Sequence, residues 1–100
     1  MMLQLQHIVR QLKATEPELR RRGVAHLSLF GSQVRGEASD ESDIDVAVEI
    51  ETGRSFSLIT MEDTRLLLED LLGRPVDLGE IGSFHPAVRA AFERDQIKVF

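Results

Sequence analysis

The stretch that decides the fold reads Leu29-Phe30-Gly31-Ser32-Gln33-Val34-Arg35-Gly36 and, after a short polar turn, Ser42-Asp43-Ile44-Asp45-Val46-Ala47-Val48. On a β-strand, side chains at i and i+2 share a face. Asp43 and Asp45 are therefore expected to point the same way, with Ile44 turned into the core. Two like charges at that spacing repel unless a cation lies between them. Mg²⁺ prefers hard oxygen ligands, keeps several waters and completes its shell with phosphate oxygens. The carboxylate pair thus points to a Mg²⁺ site, and the Gly-Ser turn beside it to a bound phosphate. The plain alternative is a solvated strand edge. Against it, Ile44, Val46 and Val48 alternate with Asp45, Ala47 and Glu49. That puts Asp45 inside the strand pattern, where an unpaired charge is costly next to a buried layer.

Working outward, Gly31 suits a place where backbone approaches a ligand closely. A short helix starting at Ser32 would turn N–H groups toward an anion, and the Ser32 hydroxyl can donate one more hydrogen bond. Arg35, one turn on, is a candidate for a phosphate oxygen. A third carboxylate, Asp77 in Val76-Asp77-Leu78, again alternates with apolar neighbours. If its strand pairs beside the Ile44 strand, Asp77 joins the cluster. Three acids can hold two metal ions about 3.5–4 Å apart, one on the phosphates and one lowering the pKa of an incoming hydroxyl. Taken alone, an acid such as Asp77 is more often a surface strand residue, so its value depends on the sheet geometry. Glu37, Asp40 and Glu41 read as a hydrated loop, and Glu69 and Asp70 as the exposed side of a helix. His7, His26 and His85 have no mutual spacing that suggests zinc or general-base chemistry. The glycines match neither a P-loop nor a dinucleotide fingerprint.

The remaining chain alternates helices and strands. Leu3, Leu5, Ile8, Val9 and Leu12 recur at helical spacing. Pro17 and Glu18 suit the first turn of a second short helix that ends at Arg20 to Arg22, with Gly23 as its stop. Val24 to Phe30 and Ile44 to Ile50 read as strands, Gln33 to about Gly36 as one helical turn, and Ser39 to Ser42 as a polar turn. A long helix spans about Ser57 to Leu72, ended by Gly73. Leu58, Met61, Leu68 and Leu72 form one stripe on it, while Ile59, Leu66 and Leu67 fall outside. Such wide apolar coverage reads either as a central helix of a small fold or as a helix with one side kept for a partner. Pro75 to Leu78 reads as a short strand. Ser83 or His85 caps a last helix with Pro86 in its first turn, and residues 97–100 add a final strand. The alternation with short connections predicts one α/β domain over residues 1–100.

Size and charge narrow the function. A chain of 100 residues buries a thin core. A net charge of -5 opposes a broad grip on nucleic acid. Without Cys there is no disulfide and no thiolate metal site. No apolar run approaches the roughly 20 residues that cross a bilayer, and the N-terminus has no signal-peptide pattern. The expectation is a cytoplasmic protein that binds neither membrane nor stable nucleic acid.

On the residues Gly31-Ser32, Arg35-Gly36, Ser42-Asp43-Ile44-Asp45 and Asp77, the chain resembles the minimal nucleotidyltransferases, small relatives of the polymerase beta superfamily. More narrowly, it resembles the antitoxin partners of HEPN toxins. The resemblance implies a short mixed sheet backed by helices, with nucleotide at its open face and Asp43, Asp45 and Asp77 as metal ligands and catalytic acids. It further implies Gly31 and Ser32 on the β and γ phosphates, with Arg35 as a weaker carry-over, a phosphate or loop-fixing group, and Ser42 as a weaker nucleotide-side one. It implies ATP with two Mg²⁺ ions, and a HEPN toxin whose tyrosine receives AMP within a hetero-oligomer. The chain contains no Tyr, so a tyrosyl acceptor must come from another molecule. Two other readings remain beside this one: an antitoxin acting by binding alone, and transfer to a small hydroxyl compound such as an aminoglycoside, to which an acidic surface is attractive.

Overall fold

The computed structural model describes residues 2–38 and 42–100. Four strands form one mixed sheet in the order β3-β2-β1-β4, with β1 at Val24–Phe30, β2 at Ile44–Ile50, β3 at Val76–Glu80 and β4 at Ile97–Lys98. β1 runs antiparallel to β2 and β4, whereas β2 and β3 run parallel. A parallel pair needs a long crossover. Here that crossover is helix α4, Leu58–Leu72. Helices α1 (Met2–Ala14), α2 (Glu16–Arg21), a single turn α3 (Ser32–Arg35) and α5 (Pro86–Asp95) complete the fold, with a 3₁₀ turn at Ile81–Ser83. The expected α/β architecture with a short mixed sheet is the one observed.

The two faces of the sheet follow from the alternation in the sequence. Leu27, Leu29, Val46, Val48, Val76 and Leu78 point to one face, where they pack with Ile8, Leu12, Leu19 and Leu68. A bulge between Val24 and His26 lets Val24 join that face as well. The opposite face carries Phe30, Ala47 and Phe92, with Ile81 and Phe84 packed on them. Phe84 stands over Gly79, where any side chain would overlap its ring. α5 and the 3₁₀ turn therefore cover only part of the second face, and the acid-bearing ends of β2 and β3 stay open.

α4 starts and stops where its sequence says. The Ser57 hydroxyl accepts the Thr60 N–H at 3.1 Å, a cap that satisfies one of the helix's unpaired donors. Gly73 closes it in the left-handed region, and its N–H donates to the Glu69 carbonyl at 2.8 Å. The buried Thr64 hydroxyl donates to the Thr60 carbonyl at 2.7 Å, so no polar atom of that side chain opposes burial.

Several expectations are corrected. Leu58 departs from its expected stripe, being 84% exposed like Ile59 outside it at 75%, whereas Leu67, also expected outside the stripe, packs against the core. The sheet covers one side of α4 and leaves the other, including Leu66, to solvent. β3 continues to Glu80 because Gly79 and Glu80 keep pairing with Ala47 and Val48. β4 is only two residues long, although the Val99 N–H still donates to the Leu27 carbonyl at 2.8 Å. His85 precedes α5 without a side-chain cap, and Ser83 belongs to the 3₁₀ turn. Glu69 is not a merely solvating acid, since its carboxylate accepts the Val76 N–H at 2.9 Å and the Arg65 guanidinium at 2.8 Å. The turn read at Ser39 to Ser42 lies outside the described residues up to position 41.

Truncating Leu68 to Ala is expected to cost roughly 2–5 kcal/mol in urea unfolding, because it opens a cavity in the closed face. Ile59→Ser is expected to shift stability by less than about 0.5 kcal/mol. Equal costs would contradict a one-sided α4.

Candidate active site

β1 ends at Phe30, and the chain turns at Gly31 with φ +76° and ψ −151°, a backbone region open essentially to glycine alone. A Cβ at this position would overlap the Asp45 Oδ2 atom. The lack of a side chain thus serves two ends: it permits the turn and lets backbone lie against a carboxylate. In the single turn of α3, the Val34 and Arg35 N–H groups both donate to the Gly31 carbonyl, at 3.1 and 3.2 Å. They are used inside the turn and do not face an anion. The N–H groups of Ser32 and Gln33 come before any carbonyl that the turn could offer them.

The parallel ladder sets the acids. Asp45 of β2 is the direct register partner of Asp77 of β3, on the open face. Neighbouring strands lie about 4.8 Å apart, so these two carboxylates are close neighbours. Asp43 stands just ahead of β2 and is exposed. Burial, then the Asp77 charge, then the Asp43 charge push the Asp45 carboxyl above its ordinary range, while the Arg35 guanidinium pulls the other way. The sequence thus placed the three acids at one end of one sheet face, and the structure brings Asp45 and Asp77 together there.

Arg35 sits differently from its expectation as a phosphate group. Its Nη1 donates to Asp95 Oδ2 at 2.7 Å and its Nε to Glu37 Oε2 at 3.1 Å. The Asp95 side chain is only 7% exposed. Arg35 is therefore held between two carboxylates and ties α3 to the end of α5, which matches the loop-fixing half of its reading. The backbone carbonyl of Ser42 accepts from Arg74 Nη2 at 2.8 Å. Asp95 and Arg74 are the residues that motif reading missed. Asp95 lies 60 positions from Arg35 and left no local signal. Arg74 was detectable only as a cation three residues before Asp77.

A cleft of about 370 Å³ opens over these groups. Gly31, Arg35, Asp45 and Asp77 form its polar side, and Phe30 with Ala87, Val88 and Ala91 of α5 its apolar wall. A larger groove of about 540 Å³ lies elsewhere, between α1 and Ile97. Its lining of Leu5, Gln6, Val9, Arg10, Lys13 and Ile97 holds no carboxylate, so the acid chemistry belongs to the smaller cleft. Among the described residues, no three His, Asp or Glu side chains converge as a finished cation cage. The donor set nevertheless fits Mg²⁺, which takes one or two carboxylates and fills its shell with water and phosphate oxygens.

Two substitutions test this geometry. Gly31→Ala is expected to destabilise the fold by roughly 2–4 kcal/mol, because it combines a forbidden backbone angle with an overlap on Asp45. Asp45→Asn removes a charge disfavoured by burial and by two neighbouring carboxylates, and is expected to raise Tm at neutral pH by several degrees. A lower Tm for Asp45→Asn would contradict the like-charge cluster.

Comparison with known proteins gives the same picture. The family model described as a nucleotidyltransferase domain matches residues 12–99. The protein adenylyltransferase MntA of Thermococcus cleftensis is 38% identical over 99 residues, covering 98% of this chain and 98% of its own. A solved structure described as a minimal nucleotidyltransferase superimposes with a TM-score of 0.77 at 33% identity, covering 93% of each chain. The complex of a tri-AMPylated Shewanella oneidensis HEPN toxin with its MNT antitoxin matches with a TM-score of 0.64 at 21% identity, over 99% of this chain and 71% of that one; at that identity the likeness is one of fold. Sheet order, open acidic face and sequence together make this chain a member of the nucleotidyltransferase domain family, in its minimal form.

Proposed function

We propose that this nucleotidyltransferase moves AMP from Mg²⁺-bound ATP to a tyrosine hydroxyl of a separate HEPN toxin and so acts as its antitoxin. The observation that carries the reading is the register of Asp45 on Asp77 with the Gly31 backbone against the same carboxylate. It sets two acids beside a glycine turn in one cleft. Family membership implies use of a nucleotide and a metal. The choice of an adenylyl donor and a protein acceptor is supported by the end-to-end match to a protein adenylyltransferase, and that of Mg²⁺ by the carboxylate set. The lack of Tyr in this chain is consistent with an acceptor on another molecule.

In this reading, Gly31 and Ser32 hold the outer phosphates, and Arg35, fixed by Asp95 and Glu37, keeps the α3 turn in place. Ser42 closes the other side of the motif. Asp43, Asp45 and Asp77 would hold Mg²⁺, which when bound offsets phosphate charge and makes an attacking hydroxyl more acidic. Asp77, at the open edge, takes the acceptor's proton. The acceptor oxygen then bonds to the α-phosphorus, the α–β bridging bond breaks and pyrophosphate leaves. The apolar wall of Phe30, Ala87, Val88 and Ala91 receives the base or the acceptor ring and sheds water from the cleft.

The exposed Leu58, Ile59 and Leu66 of α4 favour a second reading, neutralisation of the toxin by binding alone. One experiment separates them. Labelled ATP, Mg²⁺ and a HEPN toxin sought in the neighbouring gene are incubated with wild type or with the double variant Asp43→Asn, Asp45→Asn. Catalysis predicts a labelled toxin with wild type, and a loss of at least about 100-fold with the variant. Equal labelling refutes the assignment. If the unlabelling variant still suppresses toxicity at matched expression, binding alone suffices.

A further inference from the structure

We propose that Arg74 is the positioning residue of the active site, holding the Gly31-Ser32 turn, the start of β2 and the start of β3 in one fixed arrangement. The inference rests on the site reading given above. Arg74 Nη2 donates to the Ser42 carbonyl at 2.8 Å. With the Gln33 carboxamide turned so that its oxygen, not its nitrogen, faces the guanidinium, the assignment that satisfies both groups, the same nitrogen and Nη1 donate to that oxygen at 2.8 and 3.2 Å. Gln33 is buried and directly follows Ser32, whereas Ser42 directly precedes Asp43. Arg74 itself is followed by Pro75, whose carbonyl accepts the Ile44 N–H at 2.9 Å, and it stands three residues before Asp77. One guanidinium thus reaches every segment that bears a site residue of the motif.

Neither Arg74 nor Gln33 lines the cleft. The charges that act on the Asp45 carboxyl are those of Asp77, Asp43 and Arg35. The bonds from Arg74 to the Ser42 carbonyl and to Gln33 give it a positioning role, set behind the cleft wall. Its planar fork suits this task, since it offers several donors in a fixed arrangement, whereas the ammonium of a lysine is a single point. The task is needed because the acids repel one another. Without a tie behind them, the loop end at Ser42 and the α3 turn are free to part, and a site loosened by about 1 Å can lose roughly 100-fold in rate.

The test uses Arg74→Lys, with Gln33→Leu as a second variant that removes the shared acceptor and keeps the arginine, and Arg10→Met on the exposed side of α1 as control. Hydrogen exchange in the absence of nucleotide is read at the Val34, Glu37 and Ile44 amides, whose bonds lie in the tied segments, and at Leu27 and Val48 in the core sheet. Arg74→Lys and Gln33→Leu are expected to speed exchange at the first three by at least about tenfold and leave the last two unchanged. Transfer to the toxin is expected to fall about 10–100-fold in kcat, with KM for ATP changed far less. Wild-type exchange and wild-type kcat in both variants would overturn the proposal, as would uniform acceleration at all five amides, which marks general destabilisation. If Arg74→Lys does not fold, Gln33→Leu decides by the same readings. If wild type transfers no AMP, the functional reading fails, and the exchange pattern alone decides the role of Arg74.

Discussion

Two carboxylates set side by side across a parallel ladder, Asp45 on Asp77, are the constraint around which this fold is arranged. Here β3 runs in the same direction as β2, an arrangement that no hairpin makes and that needs a long crossover between the strands. α4 supplies that crossover. Its fully buried Thr64 and Leu68 seat it on the closed face of the sheet, and its Glu69 carboxylate takes the first N–H of β3 at 2.9 Å. The register that brings Asp77 to Asp45 is thus fixed from outside the site, by a helix with no part in the chemistry.

The same pair works against the folded state. Asp45 is partly withdrawn from water, and its two acidic neighbours disfavour its charge. Gly31 adds a backbone angle that other residues do not tolerate. The rest of the molecule offsets these costs. On the closed face lies an aliphatic core that runs from Ile8 to Val99. On the open face Phe30, Phe84 and Phe92 meet in tilted and edge-to-face contacts with ring centroids 5.7–5.8 Å apart, which anchors α5 beside the cleft and leaves the acids uncovered. Strain and repulsion collected in one place are what a site that binds a cation and a polyphosphate would show before either arrives.

Much of this was legible in the chain itself. The alternation Ile44-Asp45-Val46-Ala47-Val48 gave both the strand and the two environments of its faces. Val76-Asp77-Leu78 gave the same for β3, and Gly31 and Gly73 marked two of the stops. What could not be read was anything that depends on partners far away in sequence. The direction of β3 relative to β2 is a property of the crossover, not of either strand. The exposure of Leu58 and Ile59 depends on which way α4 lies on the sheet, and a helix apolar on most sides gives no such direction. Arg35 read as a phosphate group because nothing near it announced Asp95. Glu69 read as a surface charge because the Val76 N–H that it accepts is a backbone group, which carries no signature in sequence, and the Ser42 carbonyl that holds Arg74 left no more trace.

The most direct measurement is a titration of the isotopically labelled chain with Mn²⁺ and a non-hydrolysable ATP analogue, followed by paramagnetic line broadening of the backbone amides. The account predicts that Gly31, Ser32, residues 44–46 and residues 76–78 broaden first and together, and that Asp45→Asn abolishes the effect. Broadening centred on Glu62 and Asp63 of α4, or around Gly31 without residues 76–78, would contradict it.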